Sequence, residues 1–348
     1  MNVNLQAFEK RIYPTLFAIL FWIISIVPVL NPNLTLNNIG TSFLGHSQLV
    51  ETFNTFRLEI GDRVFPDVLV GKDGWLFYTA DYSIADYQRL YPFTNRELAY
   101  YQKSFDDLYH DLKQNGMTLI VVIAPNKEDI YPQYMPDEIK VVGESTRLDQ
   151  FISYMHKYGK TPVIDLRPDL IEASKTEDVF YKTDTHWNPN GAYIAYTKIL
   201  SVLSQYYPDI KPYPLSDYQV VSTGLSNRDM PLIMGVPGIK EEGQILEPNF
   251  FDGIYTKVIS PSSANSLIER FLSNQDQNLP SALIYRDSFF SDVLPLLESH
   301  FSRTISIWHE PTPGMWDIDW IYQIHPDVVI IEYVEREMND HFDPPANP

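Results

Sequence analysis

The chain has 348 residues, enough for one large domain or two smaller ones, and a formal net charge of -19. That charge argues against nucleic acid as the expected partner, because surfaces that bind the polyanionic phosphate backbone are basic. The absence of cysteine excludes a disulfide framework, a thiolate-zinc site and a cysteine nucleophile.

Residues 12–30 form a nearly unbroken apolar run without charge, close to the roughly 20 residues that span a bilayer as a helix. Lys10 and Arg11 precede it, and no Lys or Arg follows until Arg57. This asymmetry puts residues 1–11 in the cytoplasm and the remainder across the membrane. A cleaved signal peptide is the rival reading. No convincing small-x-small cleavage site follows Leu30, so an uncleaved transmembrane anchor is expected, with a buried core helix as the remaining alternative. Residues 31–46, rich in Asn at their start, read as a linker, and residues 47–62 have helical periodicity.

Gly71-Lys-Asp-Gly-Trp-Leu-Phe-Tyr78 predicts a turn at Lys72, Asp73 and Gly74 feeding a strand. Thr94 with Glu97 fits a capping box that opens a helix running to Gln114. Residues 117–124 are continuously apolar and rich in β-branched side chains, as a buried parallel strand requires. Asn126 and Lys127 follow at its C-terminal end, where open α/β sheets place ligands. A helix is expected over 145–158, a short strand over 162–166 and a helix over 192–206. Residues 207–279 lack strong periodicity and read as an insertion or lid over the sheet edge. Strands over 281–285, 304–308 and 326–332 alternate with helices over 289–301 and 317–324, and 339–348 is a polar tail. The alternation predicts an α/β layer fold with a mostly parallel sheet.

Chemistry concentrates in two loops. Asp184 and His186 lie two residues apart, so their side chains project to one side of an extended segment. Ser288 lies between a strand-like and a helix-like run, where unpaired backbone N–H groups suit a developing oxyanion. Serine acyl transfer needs a hydroxyl, a base and a carboxylate that orients the base; Ser288, His186 and Asp184 are the candidates. A metal reading of Asp184 and His186 needs further ligands, such as Asp287 or His300, and no spacing supplies them. Asp287 reads as a helix cap. No metal and no cofactor is expected.

Phe180-Tyr-Lys-Thr-Asp-Thr-His-Trp-Asn-Pro-Asn-Gly-Ala192 and Ile284-Tyr-Arg-Asp-Ser-Phe-Phe290 resemble motifs of the SGNH-hydrolase-like O-acetyltransferases that acetylate alginate and similar exopolysaccharides. So do Gly71 to Tyr78, Ala124 to Pro132 and Pro326 to Arg336, and the resemblance covers about residues 70–337. It implies an SGNH-hydrolase-like, flavodoxin-like α/β domain over 47–338 with circularly permuted motifs, the Asp/His loop preceding the serine. It also implies a Ser288–His186–Asp184 triad. Two departures stand out: Asp-x-His replaces a longer spacing, and Arg286 stands where a glycine often precedes Asp-Ser. Where an oxyanion asparagine is usual, the chain has Glu332, Tyr333, Glu335 and Arg336. Asn126, Lys127, Trp187, Arg286, Tyr333 and Arg336 are therefore candidates for holding substrate or oxyanion, with Trp187 either a sugar platform or a wall behind His186.

The expected protein is a single-pass inner-membrane O-acetyltransferase with its catalytic domain on the periplasmic side. It would pass acetyl groups to a polysaccharide acceptor, and the resemblance implies a multi-pass membrane acyltransferase partner as the acetyl donor. A glycan esterase with the same triad and a non-catalytic scaffold of a polysaccharide-export complex are the alternatives.

Overall fold

The computed structural model describes residues 45–250, 255–258, 268–274, 276, 278–308, 311–338 and 342. The apolar run at 12–30 lies outside them; among the described residues no helix is long and apolar enough to cross a membrane. The chain divides into two compact units, Met1–Asp62 with Met234–Pro237, and Arg63–Ile233 with Gly238–Pro348. In the first, helix α1 (His46–Glu59) carries Asn54, whose Nδ2 donates to the carbonyl of Met234 at 2.7 Å.

The second unit opens with a three-stranded antiparallel meander, β1 (Val64–Phe65), β2 (Val68–Val70) and β3 (Leu76–Tyr78). Asp73 at φ 53° and Gly74 at φ 83° supply the left-handed pair that the tight β2–β3 turn demands. Helix α2 (Ser83–Tyr87) follows, then α3 (Asn95–Gln114). Thr94 opens α3 with the expected capping box: its Oγ1 accepts from Glu97 N at 3.2 Å while Glu97 Oε2 accepts from Thr94 N at 2.6 Å. Strand β4 (Thr118–Ala124) leads to α4 (Lys127–Ile130), α5 (Arg147–Tyr158), β5 (Val163–Asp165) and α6 (Arg167–Ala173).

Helix α7 (Pro189–Leu203) starts three residues earlier than its hydrophobic pattern suggests. Asn188 caps it, its Oδ1 accepting from Asn190 N at 3.0 Å and Gly191 N at 3.2 Å, and Pro189 takes the first position, where no N–H is needed. Gly191 is required there: a Cβ would fall 2.2 Å from the carbonyl oxygen of Val179.

The segment without clear periodicity forms an antiparallel ribbon, β6 (Tyr218–Ser226) with β7 (Glu241–Pro248), enclosing α8 (Asp229–Ile233). It then adds β8 (Tyr255–Val258) and β9 (Ile268–Asn274) to the main sheet. The chain continues through β10 (Ser281–Arg286), α9 (Leu294–Leu297), β11 (Arg303–Trp308), α10 (Ile318–Ile324) and β12 (Val328–Val334). The single helix expected over 289–301 is broken into 3-10 turns around α9. Pro295 has no N–H to continue a helix from residue 289, and it fits the first turn of a new one.

The main sheet runs β5-β4-β12-β10-β11-β9-β8. Its first five strands are parallel, and β9 and β8 are antiparallel additions at one edge. Alternate residues of the central strands feed two cores. Ile120 and Val122 of β4, Ile284 of β10 and Ile330 of β12 share one with Ala195 and Ile199 of α7. Leu119, Val121, Leu283 and Ile331 share the other with Phe105 of α3 and Phe151 of α5. Each fully buried aliphatic side chain contributes about 1.5–3 kcal/mol. The C-terminal end of β10, between β12 and β11, is thereby held at the middle of the rigid layer.

Candidate functional site

Ser288 is the first residue of a 3-10 turn (Ser288–Ser291) at that strand end. Asp287 caps the turn: Oδ1 accepts from Phe289 N at 2.6 Å, and Oδ2 accepts from Val334 N at 2.8 Å on the neighbouring β12. Its own N–H donates to buried Glu332 at 3.0 Å. So Asp287 locks the turn to the sheet, the capping role the sequence suggested. With Phe289 N–H taken by the cap, Ser288 N–H is left without an acceptor among the described residues.

The Asp184 loop has little regular structure beyond a bridge between Phe180 and Trp187. It is held from three sides by ionisable side chains bonding to its backbone. Lys127 Nζ donates to the carbonyls of Tyr181 (3.1 Å), Lys182 (3.1 Å) and Asp184 (2.7 Å). Glu241 accepts from Lys182 N (3.0 Å), Thr183 N (2.9 Å) and Thr183 Oγ1 (2.6 Å). Asp229 accepts from Thr185 N at 2.9 Å and from the Thr185 hydroxyl. The β2–β3 hairpin adds a backbone bond from Leu76 N to Lys182 O at 2.9 Å.

These anchors bring three predicted residues together. His186 Nε2 lies 2.9 Å from Ser288 Oγ, and His186 Nδ1 lies 2.7 Å from Asp184 Oδ1. Burial works to lower the His186 pKa, but the hydrogen bond and charge of Asp184 outweigh it and raise the imidazole above its ordinary value. Burial likewise works to raise the Asp184 carboxyl, and His186 prevails in holding it below the usual carboxylate range. Asp229 Oδ2 is 3.6 Å from His186 Nδ1. Burial and then the charge of Asp184 push the Asp229 carboxyl upward.

Asp184, His186 and Asp229 are close enough to ligate one metal ion. Yet the ring nitrogens of His186 already face Asp184 and Ser288, and Thr185 donates to Asp229. The ligands considered from sequence lie elsewhere. Asp287 is the cap, and His300 Nε2 is 2.7 Å from Tyr196 OH, where burial pushes its pKa down to about 4.

The other candidates divide by position. Trp187 is fully buried, edge-on to Phe289 at 5.3 Å, while Phe289 packs on the His186 ring at 4.9 Å. It is core behind the wall, and no face is open for a sugar. Arg286 is also buried, donating to Asp287 O at 2.7 Å and Ser291 Oγ at 2.9 Å. Arg336 lies over the Phe289 ring at 5.1 Å, with Asp81 at 4.0 Å. Tyr333 faces the other core and donates to Pro311 O at 2.6 Å, because its parity on β12 points it away from Ser288. Asn126 occupies the N-cap position of α4 and its N–H donates to Glu335 at 3.2 Å; among the described residues its buried side-chain amide has no hydrogen-bond partner. Lys127 is the loop anchor described above. Neither lines the cavity at Ser288.

That cavity, about 340 Å³, is walled by Ser288, His186 and Trp308 on the sheet side and by Thr223, Arg228 and Ile245 from the segment around the ribbon. Arg228 and Asp229 were not singled out in the sequence. The signal was only a polar Asn-Arg-Asp triplet inside the aperiodic segment.

A family described as "SGNH hydrolase-like domain, acetyltransferase AlgX" matches residues 68–267, more than half of the chain, including Asp184 and His186 but ending before Ser288. The chain is 28% identical over 128 residues to a probable alginate O-acetylase AlgJ of Pseudomonas aeruginosa, covering 36% of this chain and 30% of that one. For the protein of the same name in Pseudomonas syringae pv. tomato the figures are 29% over 143 residues, 41% and 35%. The matches thus span about a third of the length of these relatives. Among solved structures, Bacillus cereus PatB1 aligns with TM-score 0.56 at 17% identity, over 79% of this chain and 98% of that one. The O-acetyltransferase domain of Pseudomonas putida AlgJ aligns with TM-score 0.52 at 20% identity, over 79% and 92%. Those two likenesses speak to the fold, which is SGNH-hydrolase-like. With its family match running through the Asp184–His186 loop, the chain belongs to the SGNH hydrolase-like acetyltransferase family.

Proposed function

We propose that this protein is an O-acetyltransferase that carries an acetyl group on Ser288 and passes it to a hydroxyl of an exopolysaccharide. The observation that carries the proposal is the continuous line Ser288 Oγ–His186–Asp184, with links of 2.9 Å and 2.7 Å. Both lie within the reach that proton transfer needs, about 2.6–3.2 Å.

Ser288 Oγ attacks the carbonyl carbon of an acetyl ester or thioester and gives its proton to His186 Nε2. The donor's leaving oxygen or sulfur departs with that proton, and acetyl-serine remains. A sugar hydroxyl then attacks the acetyl-serine, its proton going to His186. His186 returns a proton to Ser288 Oγ as the ester bond moves to the sugar. Asp184 holds the imidazole in orientation and stabilises its charged form. Ser288 N–H, at the start of the turn, is assigned to the oxyanion.

The apolar run at 12–30, preceded by Lys10 and Arg11, supports an anchored protein with this domain on the periplasmic side of the inner membrane. In that topology the acetyl group is delivered across the bilayer by a multi-pass membrane acyltransferase. The test is rapid mixing with 4-nitrophenyl acetate, with and without polysaccharide. A burst of nitrophenolate, an acetyl adduct on Ser288 and acetylated glycan are expected. Acetate release unchanged by glycan, with no acetylated product, would replace the transferase with an esterase. No adduct would end both.

A further inference from the structure

The cavity contains two features that the transfer chemistry does not use. The first is Trp308. It ends β11 directly beside Arg286 at the end of β10, in the parallel register of the two strands. The Arg286 guanidinium lies 4.2 Å from the Trp308 ring centre and is fixed by Asp287 O and Ser291 Oγ. One side of the indole is therefore backed by a held cation. Yet the residue remains 48% exposed and lines the cavity with Ser288 and His186. The second feature is Asp292, exposed at the same cavity: its N–H donates to Phe290 O, and its carboxylate has no hydrogen-bond partner among the described residues. A pyranose offers an apolar C–H face and an edge of hydroxyls. A held indole fits the first, and an open carboxylate accepts from the second.

Charge narrows the acceptor further. Among the described lining residues the carboxylates are Asp184 and Asp292, with Asp229 adjoining His186, and the cation is Arg228. Arg228 is partly engaged: Nη2 donates to Glu242 O at 3.2 Å, the guanidinium lies 3.8 Å over Tyr181 and Nη1 is 3.8 Å from Asp184 Oδ2, while Nε has no hydrogen-bond partner among the described residues. Arg286 is beneath the indole, and Lys127 is bonded to three carbonyls behind the loop. Among the described residues, a uronate carboxylate entering here meets the acids Asp184, Asp292 and Asp229 against a single cation at the cavity wall, Arg228, which already sits beside Asp184. The net charge of -19 repels a polyanion before it arrives.

Building on the transferase reading above, we infer that the acceptor is an uncharged hexopyranose polymer, stacked on Trp308 and hydrogen-bonded by Asp292, and not a polyuronate. The full-length protein in detergent is given 4-nitrophenyl acetate with either a panel of uncharged hexose oligomers or mannuronate oligomers of equal length. Acetylated products are counted by mass spectrometry. At least one uncharged oligomer is expected to accept about tenfold better than the uronate, with the gap narrowing as salt screens the repulsion beyond about 8 Å. Trp308→Ala raises KM for the preferred oligomer about tenfold with kcat changed less than about threefold, and Trp308→Phe restores most of it. A Tm close to wild type shows that the variants are folded. Equal or better transfer to the uronate overturns the inference, and so does an unchanged KM in Trp308→Ala. A Ser288 adduct with no transfer to any uncharged oligomer overturns it too, leaving the nucleophile intact. Absence of the adduct removes both readings.

Discussion

The loop carrying Asp184 and His186 and the turn carrying Ser288 meet at one hydrogen bond but are built differently. The Ser288 turn grows out of a central strand, paired on both sides in parallel register, and Asp287 ties it to β12. The Asp184 loop owes its shape to the side chains of Lys127, Glu241 and Asp229, each bonding to its backbone from a different element. A sheet-borne residue inherits the stability of the core. A loop held by ionisable anchors is sensitive to each anchor singly, since losing one leaves buried carbonyls or N–H groups unmet.

The comparison breaks first at the meeting point. Ser288→Ala is expected to abolish the acetyl adduct and lower transfer by about four to six powers of ten while leaving Tm nearly unchanged, read by burst kinetics and thermal unfolding. Asp184→Asn comes next, with a loss of about three to four powers of ten. Its pH profile is the sharper readout. His186 acts as a base only when neutral, and its pKa is raised in the wild type, so activity rises with pH through a midpoint above the ordinary imidazole value. Removing the Asp184 charge lowers that midpoint; an unmoved midpoint would mean that another group titrates.

Lys127→Met tests the anchors directly. Three carbonyls lose their donor, so stability falls by on the order of 3 kcal/mol and activity falls with it, since the loop is no longer held. An equal loss of stability from a core truncation on α3, such as Leu108→Ala, leaves activity at permissive temperature near normal, which separates anchoring from general destabilisation. The smallest effect is on the residue beside that anchor. Burial raises the Glu128 carboxyl to about 7. Its folded pKa exceeds its unfolded one, so its contribution is full below the ordinary carboxylate range and is lost as pH rises through about 7. Glu128→Gln cannot titrate. Its Tm, relative to wild type, is expected to climb by a few degrees between pH 5 and pH 8, and a constant difference would refute the shift.

Much of the second unit's framework was legible along the chain because its causes are local. The Thr94–Glu97 box set the start of α3, and the β-branched run before Ala124 gave β4 within one residue. Residues whose roles depend on partners far away were harder. Tyr333 sat in the right strand, but its parity sends it to the opposite core. Trp187 sat in the right loop, but it turns inward behind Phe289. Lys127 was noted as a strand-end residue without its acceptors, which come from 54 to 57 positions downstream.

By itself the sequence determined most of the elements and the candidate side chains on the two loops, since hydrophobic period, capping and turn propensity act over a few residues. Only the tertiary structure decided the distances across the 102 positions between His186 and Ser288, and it brought Asp229 and Arg228 from an aperiodic segment to the same place. Those arrangements arise from packing and hydrogen-bond satisfaction between elements remote in the chain, and no local pattern encodes them.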